Sequence, residues 1–322
     1  MYLCPMQLNA LTRKSALAAI LLLLVMLVAV AVRSRLAPIG VELADSEYRG
    51  RTLSLVVAMF VMLFAGMVEG KMLVRSGLNR GFCTLPMPIF GLLACGIFVA
   101  PATLPTAIVS LLFALAIHLF LRSLHSADER DSLFFGSMLL GSMVLLYPPS
   151  IVLFGVLLLL IFATSLSLRQ VVLTIVGYLL PLLTASYVLW YRGGTLSQFW
   201  INLGEALLAP QMGHIESLPY LAIAMVVAVV AVLIWGVVYS ALRPHKMFLL
   251  VRVRRALHLF IGVMVVSLLM LLLPSSTLTS LAIVAVPATI LLCLVLELLP
   301  NNHSTIAYWV LLALFVAHLF VA

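Results

Sequence analysis

The chain has very few charged residues. Only 9% of its 322 residues are Asp, Glu, Lys or Arg, and 65% are hydrophobic, whereas a soluble globular domain is about 25% charged and about 45–50% apolar. So few charges cannot cover a surface that faces water. Most of the apolar residues also lie in blocks of roughly eighteen or more, near the length that crosses a hydrocarbon core of about 30 Å. The composition therefore predicts an all-α fold, a polytopic bundle of transmembrane helices.

Cysteine is scarce too, and several catalytic motifs are absent. The cysteines stand far apart, without a CxxC pair or the histidine spacing of a zinc site, at Cys4, Cys83, Cys95 and Cys293. The sequence has no Walker loop, GxSxG, HExxH or CxxCH motif, so ATP hydrolysis, serine hydrolysis, zinc proteolysis and c-type haem lack support. We predict no metal-binding and no cofactor-binding residue, and the identity of any cofactor stays open.

Eleven apolar segments are candidate spans, and they leave no room for a soluble domain, so residues 1–322 are predicted to form one membrane domain. The first is read as an uncleaved helix, because Arg33 and Arg35 follow it where a signal peptide would have small residues. The fifth is short and ends at Tyr147, so the fifth and sixth can instead form a hairpin that does not fully cross. The segments are 15–32, 52–69, 83–100, 102–121, 132–147, 150–166, 170–190, 219–242, 256–274, 277–299 and 305–322.

The net charge of +8 lies in short loops, where Lys and Arg orient a membrane protein rather than bind nucleic acid. Eleven spans with the N-terminus inside place most of the 18 Lys and Arg in the cytoplasm. Ten spans, without 83–100 and with the N-terminus outside, do almost as well. Both arrangements put the basic loop from Arg243 to Arg255 in the cytoplasm and the loop from Tyr191 to Leu218 outside.

The loop predicted between the first two spans, 33–51, carries the candidate catalytic residues Asp45 and Glu47, together with Glu42. Carboxylates on an outer loop could act as a general base or hold a divalent cation. A solvated loop whose charges balance one another is the alternative. In the second outer loop, Glu205, His214 and Glu216 could complete such a site.

A further set of ionisable residues lies within the apolar segments, where a charge is costly and usually faces a cavity or a partner. Of these, Glu69 and Glu297 lie near segment ends, which indicates access to interfacial water. His118 and His318 are expected to stay neutral and to hydrogen-bond between helices, with proton relay as the alternative. The set is Glu69, His118, His258, Glu297 and His318.

Two local patterns predict packing. Apolar residues from Leu196 to Leu208 recur near helical spacing, which is typical of a short helix at the membrane surface; an ordered loop anchored by interfacial aromatic residues is the alternative. Gly136 and Gly141, each followed by a serine, predict a close approach of two helices.

Two resemblances add to these patterns. The stretches 134–169, 177–191, 251–272 and 283–292 resemble an uncharacterised family of polytopic inner-membrane proteins of Bacteroidota, which implies no activity. More remotely, the layout is similar to membrane glycosyltransferases of the C-type fold, which use polyprenyl-linked sugar donors and place an acidic catalytic residue on the first outer loop. On this resemblance Asp45 and Glu47 are the matching candidates. The loop here is shorter than in that family, its acids are not adjacent, and no soluble C-terminal domain follows.

The leading hypothesis is a multi-pass protein of the bacterial inner membrane that serves the cell envelope, on a degenerate glycosyltransferase-like scaffold that handles lipid-linked substrates. Its expected partners are the lipid bilayer and either a polyprenyl-linked substrate or other envelope membrane proteins, without nucleic acid. The alternatives are a transporter that depends on intramembrane residues such as Glu69, and a non-catalytic assembly partner.

Overall fold

The computed structural model describes residues 20, 24, 25, 28, 45–75, 85–97, 104–125, 130–164, 167–209, 227, 230, 231, 234, 251–298 and 301–321. No residue in these ranges lies in a strand. The helices with described bounds are α1 (Asp45–Arg75), α2 (Pro86–Ile97), α3 (Leu104–His125), α4 (Arg130–Leu146), the 3-10 helix η1 (Pro148–Leu153), α5 (Phe154–Thr164), α6 (Leu168–Tyr191), α7 (Leu196–Leu208), α8 (Val251–Met270), α9 (Leu278–Leu298) and α10 (Asn301–Val321).

Three described stretches are long and apolar enough to cross a membrane. They are Leu104–Ser123 in α3, the whole of α6, and Thr279–Leu296 in α9, and they match the fourth, seventh and tenth predicted segments. Shorter apolar stretches lie at Asp131–Leu146 in α4, Pro148–Ile161 in η1 and α5, Leu257–Met270 in α8 and Ile306–Ala317 in α10. The all-α fold and the presence of candidate membrane spans are therefore confirmed, but a total of eleven spans is not supported.

The segment predicted at 83–100 is one reason for the difference. Its described helix, α2, has only 12 residues, which is about 18 Å at 1.5 Å per residue and well short of a hydrocarbon core. The residues that would lengthen this helix, 98–103, lie outside the described ranges. As described, the third segment is a short buried helix.

The break predicted at Tyr147 is confirmed. Pro148 and Pro149 begin the 3-10 helix η1, because proline lacks the N–H that would continue an α-helix. The two helices on either side have different main partners: α4 packs along α6, and α5 packs on α8.

The basic loop predicted from Arg243 to Arg255 is shorter than expected, since α8 begins at Val251. Arg252, Arg254 and Arg255 therefore belong to the first turns of a helix. Arg243 and Lys246 lie outside the described residues.

The chain divides into two compact units, each made of separate stretches of sequence. The first comprises Met1–Ile108, Leu218–Leu250 and Ala288–Ala322, and the second comprises Val109–Ser217 and Val251–Pro287. Within the first unit, α2 packs against α1 and α10. Within the second unit, the closest packing is between α4 and α6.

Glycine makes the α4–α6 contact possible. Gly141 of α4 lies against the backbone of Tyr178 in α6, and a methyl group on Gly141 would overlap the Tyr178 carbonyl oxygen. In the other direction, a methyl group on Gly177 of α6 would lie 2.7 Å from the Phe134 carbonyl oxygen. Gly136 meets a third helix, because a methyl group there would lie 2.7 Å from the Phe120 ring of α3. The packing role predicted for Gly136 and Gly141 is confirmed.

A buried tyrosine joins the end of α4 to the start of α9. The Tyr147 hydroxyl oxygen lies 2.6 Å from Ser280 Oγ and accepts a hydrogen bond of 2.8 Å from the Thr277 backbone N–H. The first backbone N–H groups of a helix have no partner within the helix. Tyr147 accepts a hydrogen bond from one such N–H group, that of Thr277, directly before the first residue of α9.

Candidate functional site

The second unit contains a cleft formed where α7 folds back beside α6. Its volume is about 510 Å³, within the range typical of small-molecule sites. Most of its lining is apolar, and Arg192 is the one charged side chain among the described lining residues. These residues are Leu145, Pro181, Thr184, Ala185, Val188, Leu189, Arg192, Phe199 and Asn202.

A tight turn after α6 creates the cleft. Gly193 has a φ of 95°, in the left-handed region that glycine enters without steric cost. The backbone N–H of Gly194 donates to the Leu189 carbonyl at 3.1 Å, which closes the end of α6. Thr195 then begins α7, and its hydroxyl oxygen accepts a hydrogen bond from the Gln198 backbone N–H at 3.3 Å. The chain therefore reverses within a few residues.

The helix predicted at Leu196–Leu208 is confirmed as α7, and none of its residues is buried. The partly covered side chains of α7 recur at helical spacing and are Phe199, Leu203, Ala206 and Leu207. On the remaining surface, Trp200 and Ile201 are exposed, as are Tyr187 and Trp190 near the end of α6. Exposed aromatic residues of this kind are typical of the boundary between a membrane and water.

The polar side chains that line the cleft are Thr184 in α6, Arg192 directly after it and Asn202 in α7. Arg192 follows the last residue of the helix, where its positive charge opposes the partial negative charge of the helix C-terminus. Thr184 donates its hydroxyl to the Pro181 carbonyl at 2.8 Å, so among the described lining residues Arg192 and the Asn202 amide are the side chains left to donate hydrogen bonds to a ligand. The arrangement suits a molecule with a long apolar part and an anionic group.

Sequence reasoning did not identify this cleft. Neither Arg192 nor Asn202 stands out in the sequence, because each is an isolated polar residue of the predicted outer loop. The signal was the pair Gly193 and Gly194 directly after a long apolar helix and before an amphipathic one, since a double glycine permits the sharp reversal that brings both helices together.

The predicted acidic site has a different local structure from the one expected. Asp45 and Glu47 lie in the first turns of α1, which begins at Asp45, so the loop expected from Arg33 to Arg51 ends earlier. Acidic residues are favourable at a helix N-terminus because they oppose the positive end of the helix dipole. Their role as catalytic residues stays a prediction. Glu42, His214 and Glu216 lie outside the described residues, and Glu205 is exposed on α7.

The position of Glu69 differs from the one predicted for it. Helix α1 continues past it to Arg75, and Glu69 is fully buried, with 0% exposure. Neither carboxylate oxygen has a hydrogen-bond partner. The expectation that Glu69 reaches interfacial water is therefore wrong.

The other intramembrane residues are distributed over three helices. His118 is half-buried in α3, and His258 is exposed on α8. Glu297 and His318 lie in α9 and α10, with side chains outside the described part. Among the described residues, no three or more His, Cys, Asp or Glu side chains form a group that could hold a metal ion.

Comparison with protein-family models, with curated proteins and with solved structures gives no match for this chain.

Proposed function

We propose that this chain is a multi-pass protein of the bacterial inner membrane that serves the cell envelope by handling a lipid-linked substrate, on a scaffold similar to the C-type glycosyltransferases. The cleft between α6 and α7 is the observation that carries this proposal. Among its described lining residues it combines an apolar wall with one cationic side chain, beside exposed aromatic residues. A polyprenyl-linked substrate has the complementary chemistry, a long apolar chain and a charged phosphate.

Blocking the cleft tests the proposal. Ala185 lines the cleft, so Ala185→Trp would fill it with a large ring. The control is Val176→Trp, an exposed position on the same helix that does not line the cleft. Binding of a polyprenyl phosphate to the full chain in lipid nanodiscs is measured by native mass spectrometry. We expect binding to be lost in Ala185→Trp and kept in Val176→Trp; equal binding by both would overturn the proposal.

In the same proposal, Asp45 and Glu47 are the catalytic candidates. If one of them acts as the general base, Asp45→Asn or Glu47→Gln should abolish transfer from the lipid-linked donor while binding of the polyprenyl phosphate and expression stay normal. Transfer that continues in both single variants and in the double variant would remove the catalytic part of the proposal and leave a lipid-binding protein.

A transporter is the second candidate function, and the burial of Glu69 favours it. An ionisable side chain held inside a membrane protein without a partner usually marks an ion or substrate pathway. A transporter should show substrate-dependent flux in proteoliposomes, and that flux should be lost in Glu69→Gln. Flux that persists in this variant would contradict the proposed dependence on Glu69.

A further inference from the structure

Glu69 occupies the most closely enclosed position of any described acidic side chain. It shares one face of α1 with Met62, Ala65 and Met72, all of which are buried. The opposite surface of α1 is exposed, with Phe60 69% and Phe64 51% accessible. The carboxyl group therefore points into the first unit rather than away from it.

Helix α2 packs against α1 next to Glu69, where a methyl group on Gly70 would lie 3.0 Å from Met87, and α2 offers no charge. Helix α2 has the sequence PMPIFGLLACGI, which contains no acidic or basic residue, and Cys95 is its one titratable side chain. Residues Leu85 to Ala94 are all buried. On α1 itself, the neighbouring cation Lys71 is exposed, and two residues along a helix correspond to about 200° of rotation. The Lys71 side chain therefore lies on a different side of α1 from Glu69.

Burial without a partner determines the form that this carboxyl group takes. An isolated ionised carboxylate in apolar surroundings is strongly disfavoured unless it is paired, whereas the neutral acid is tolerated far better. The described residues offer no metal site at Glu69, because Mg²⁺ or Ca²⁺ would need several oxygen ligands and no group of three or more described His, Cys, Asp or Glu side chains could hold an ion. The ligand that this site suits is a proton.

We propose that Glu69 is a proton-binding site buried beside the contact between α1 and α2. The carboxyl group holds its proton while the two helices are packed together, and it exchanges that proton when they separate and admit water. Proton release is therefore coupled to opening of the α1–α2 contact.

An apolar carbodiimide tests the site directly. A protonated carboxylic acid adds across a C=N bond of the reagent, its proton goes to nitrogen, and the adduct rearranges to an N-acylurea without a leaving group. The full wild-type chain in nanodiscs is treated at neutral pH with dicyclohexylcarbodiimide or with a water-soluble carbodiimide, and modified peptides are mapped by mass spectrometry. The exposed Glu205 is the internal control.

We expect dicyclohexylcarbodiimide to modify Glu69 at least tenfold faster than Glu205, and the water-soluble reagent to show the opposite preference. Because the mapping uses the wild-type chain, it does not depend on the folding of a variant. Modification of Glu69 by the water-soluble reagent as fast as Glu205, or no modification by the apolar reagent, would overturn the proposal.

Two further readouts separate a proton-binding role from a merely buried side chain. The infrared difference spectrum of wild type minus Glu69→Gln should contain the carbonyl band of a protonated acid at neutral pH; its absence would mean that Glu69 is ionised. Amide hydrogen exchange in α1 and α2 should rise at alkaline pH in wild type, beyond the intrinsic effect of pH, and not in Glu69→Gln. An equal rise in both would show that opening is not coupled to this proton.

Discussion

At the scale of single residues, two buried polar side chains differ in their hydrogen bonding. Tyr147 is fully engaged by Ser280 and Thr277, whereas Glu69 has no hydrogen-bond partner. A satisfied buried hydroxyl group stabilises a fold, and an unsatisfied buried group destabilises it. Substitution at these two positions should therefore shift stability in opposite directions.

Tyr147→Phe should lower the stability of the second unit by about 1–3 kcal/mol, because the Thr277 N–H and the Ser280 hydroxyl lose their partner. Tyr187→Phe is the matched control, since Tyr187 is 57% exposed and a change there should stay within about 0.5 kcal/mol. Thermal unfolding in detergent measures both. Equal midpoints for the two variants would contradict the structural role of Tyr147.

Glu69→Met should raise stability by about 1–3 kcal/mol, because an unpartnered carboxyl group is replaced by an apolar side chain of similar length. At the exposed neighbouring position, Lys71→Met should have little effect. The comparison uses the midpoint of thermal unfolding. A lower midpoint for Glu69→Met than for wild type would argue that Glu69 has a stabilising partner.

The burial of Glu69 also shows why sequence reasoning failed at this residue. In the sequence, Glu69 ends an apolar run and lies two residues before Lys71, which indicates the edge of a membrane span. The helix instead continues to Arg75, and helical rotation sends neighbouring charges to different sides. The side of α1 that becomes buried depends on where helices such as α2 pack. The sequence of α2 does not indicate this, because α2 has no polar face.

At the scale of elements, the α4–α6 contact was predictable and the α6–α7 cleft was not. Small residues in an apolar helix are a direct signal of close approach, so Gly136 and Gly141 identified a packing surface without a structure. The cleft depends on the angle at which α7 leaves the turn after Arg192. That angle is set by the glycine conformation and by packing, and the spacing of apolar residues predicts neither.

Gly141→Ala should destabilise the second unit by about 1–3 kcal/mol, since the added methyl group overlaps a helix backbone rather than a side chain that can rotate away. Gly204→Ala is the control, because no atom lies within 4 Å of a methyl group there, and alanine is favoured over glycine in a helix by about 1 kcal/mol. Unfolding midpoints should therefore move in opposite directions. A Gly141→Ala chain as stable as wild type would contradict the close contact.

At the scale of the whole molecule, composition predicted the class of fold but not the number of crossings. An apolar segment of suitable length can span the membrane, have a short described helix as α2 does, or break as the chain does at Pro148. Segment length alone does not distinguish these outcomes, because burial against other helices also favours apolar sequence. Only α3, α6 and α9 meet both the length and the composition of a span among the described helices.

Sidedness is the prediction that belongs to this scale. In a chain whose four native cysteines are replaced, single cysteines at Ser46 and Ser197 are exposed to a membrane-impermeant thiol reagent in cells with a permeabilised outer membrane. We expect both to react, which places the start of α1 and the exposed helix α7 on the outer side. Reaction at Ser197 alone would put Asp45 and Glu47 in the cytoplasm and remove the glycosyltransferase-like interpretation.

The contact of Tyr147 with the start of α9 has a consequence for biogenesis. Its partners Thr277 and Ser280 are 130 and 133 residues further along the chain. At a translation rate of about 5–20 residues per second, Ser280 leaves the ribosome on the order of ten seconds after Tyr147. During that interval the tyrosine hydroxyl needs another partner, such as water, lipid headgroups or the insertion machinery. The second unit can therefore complete its fold only after most of the chain has been synthesised.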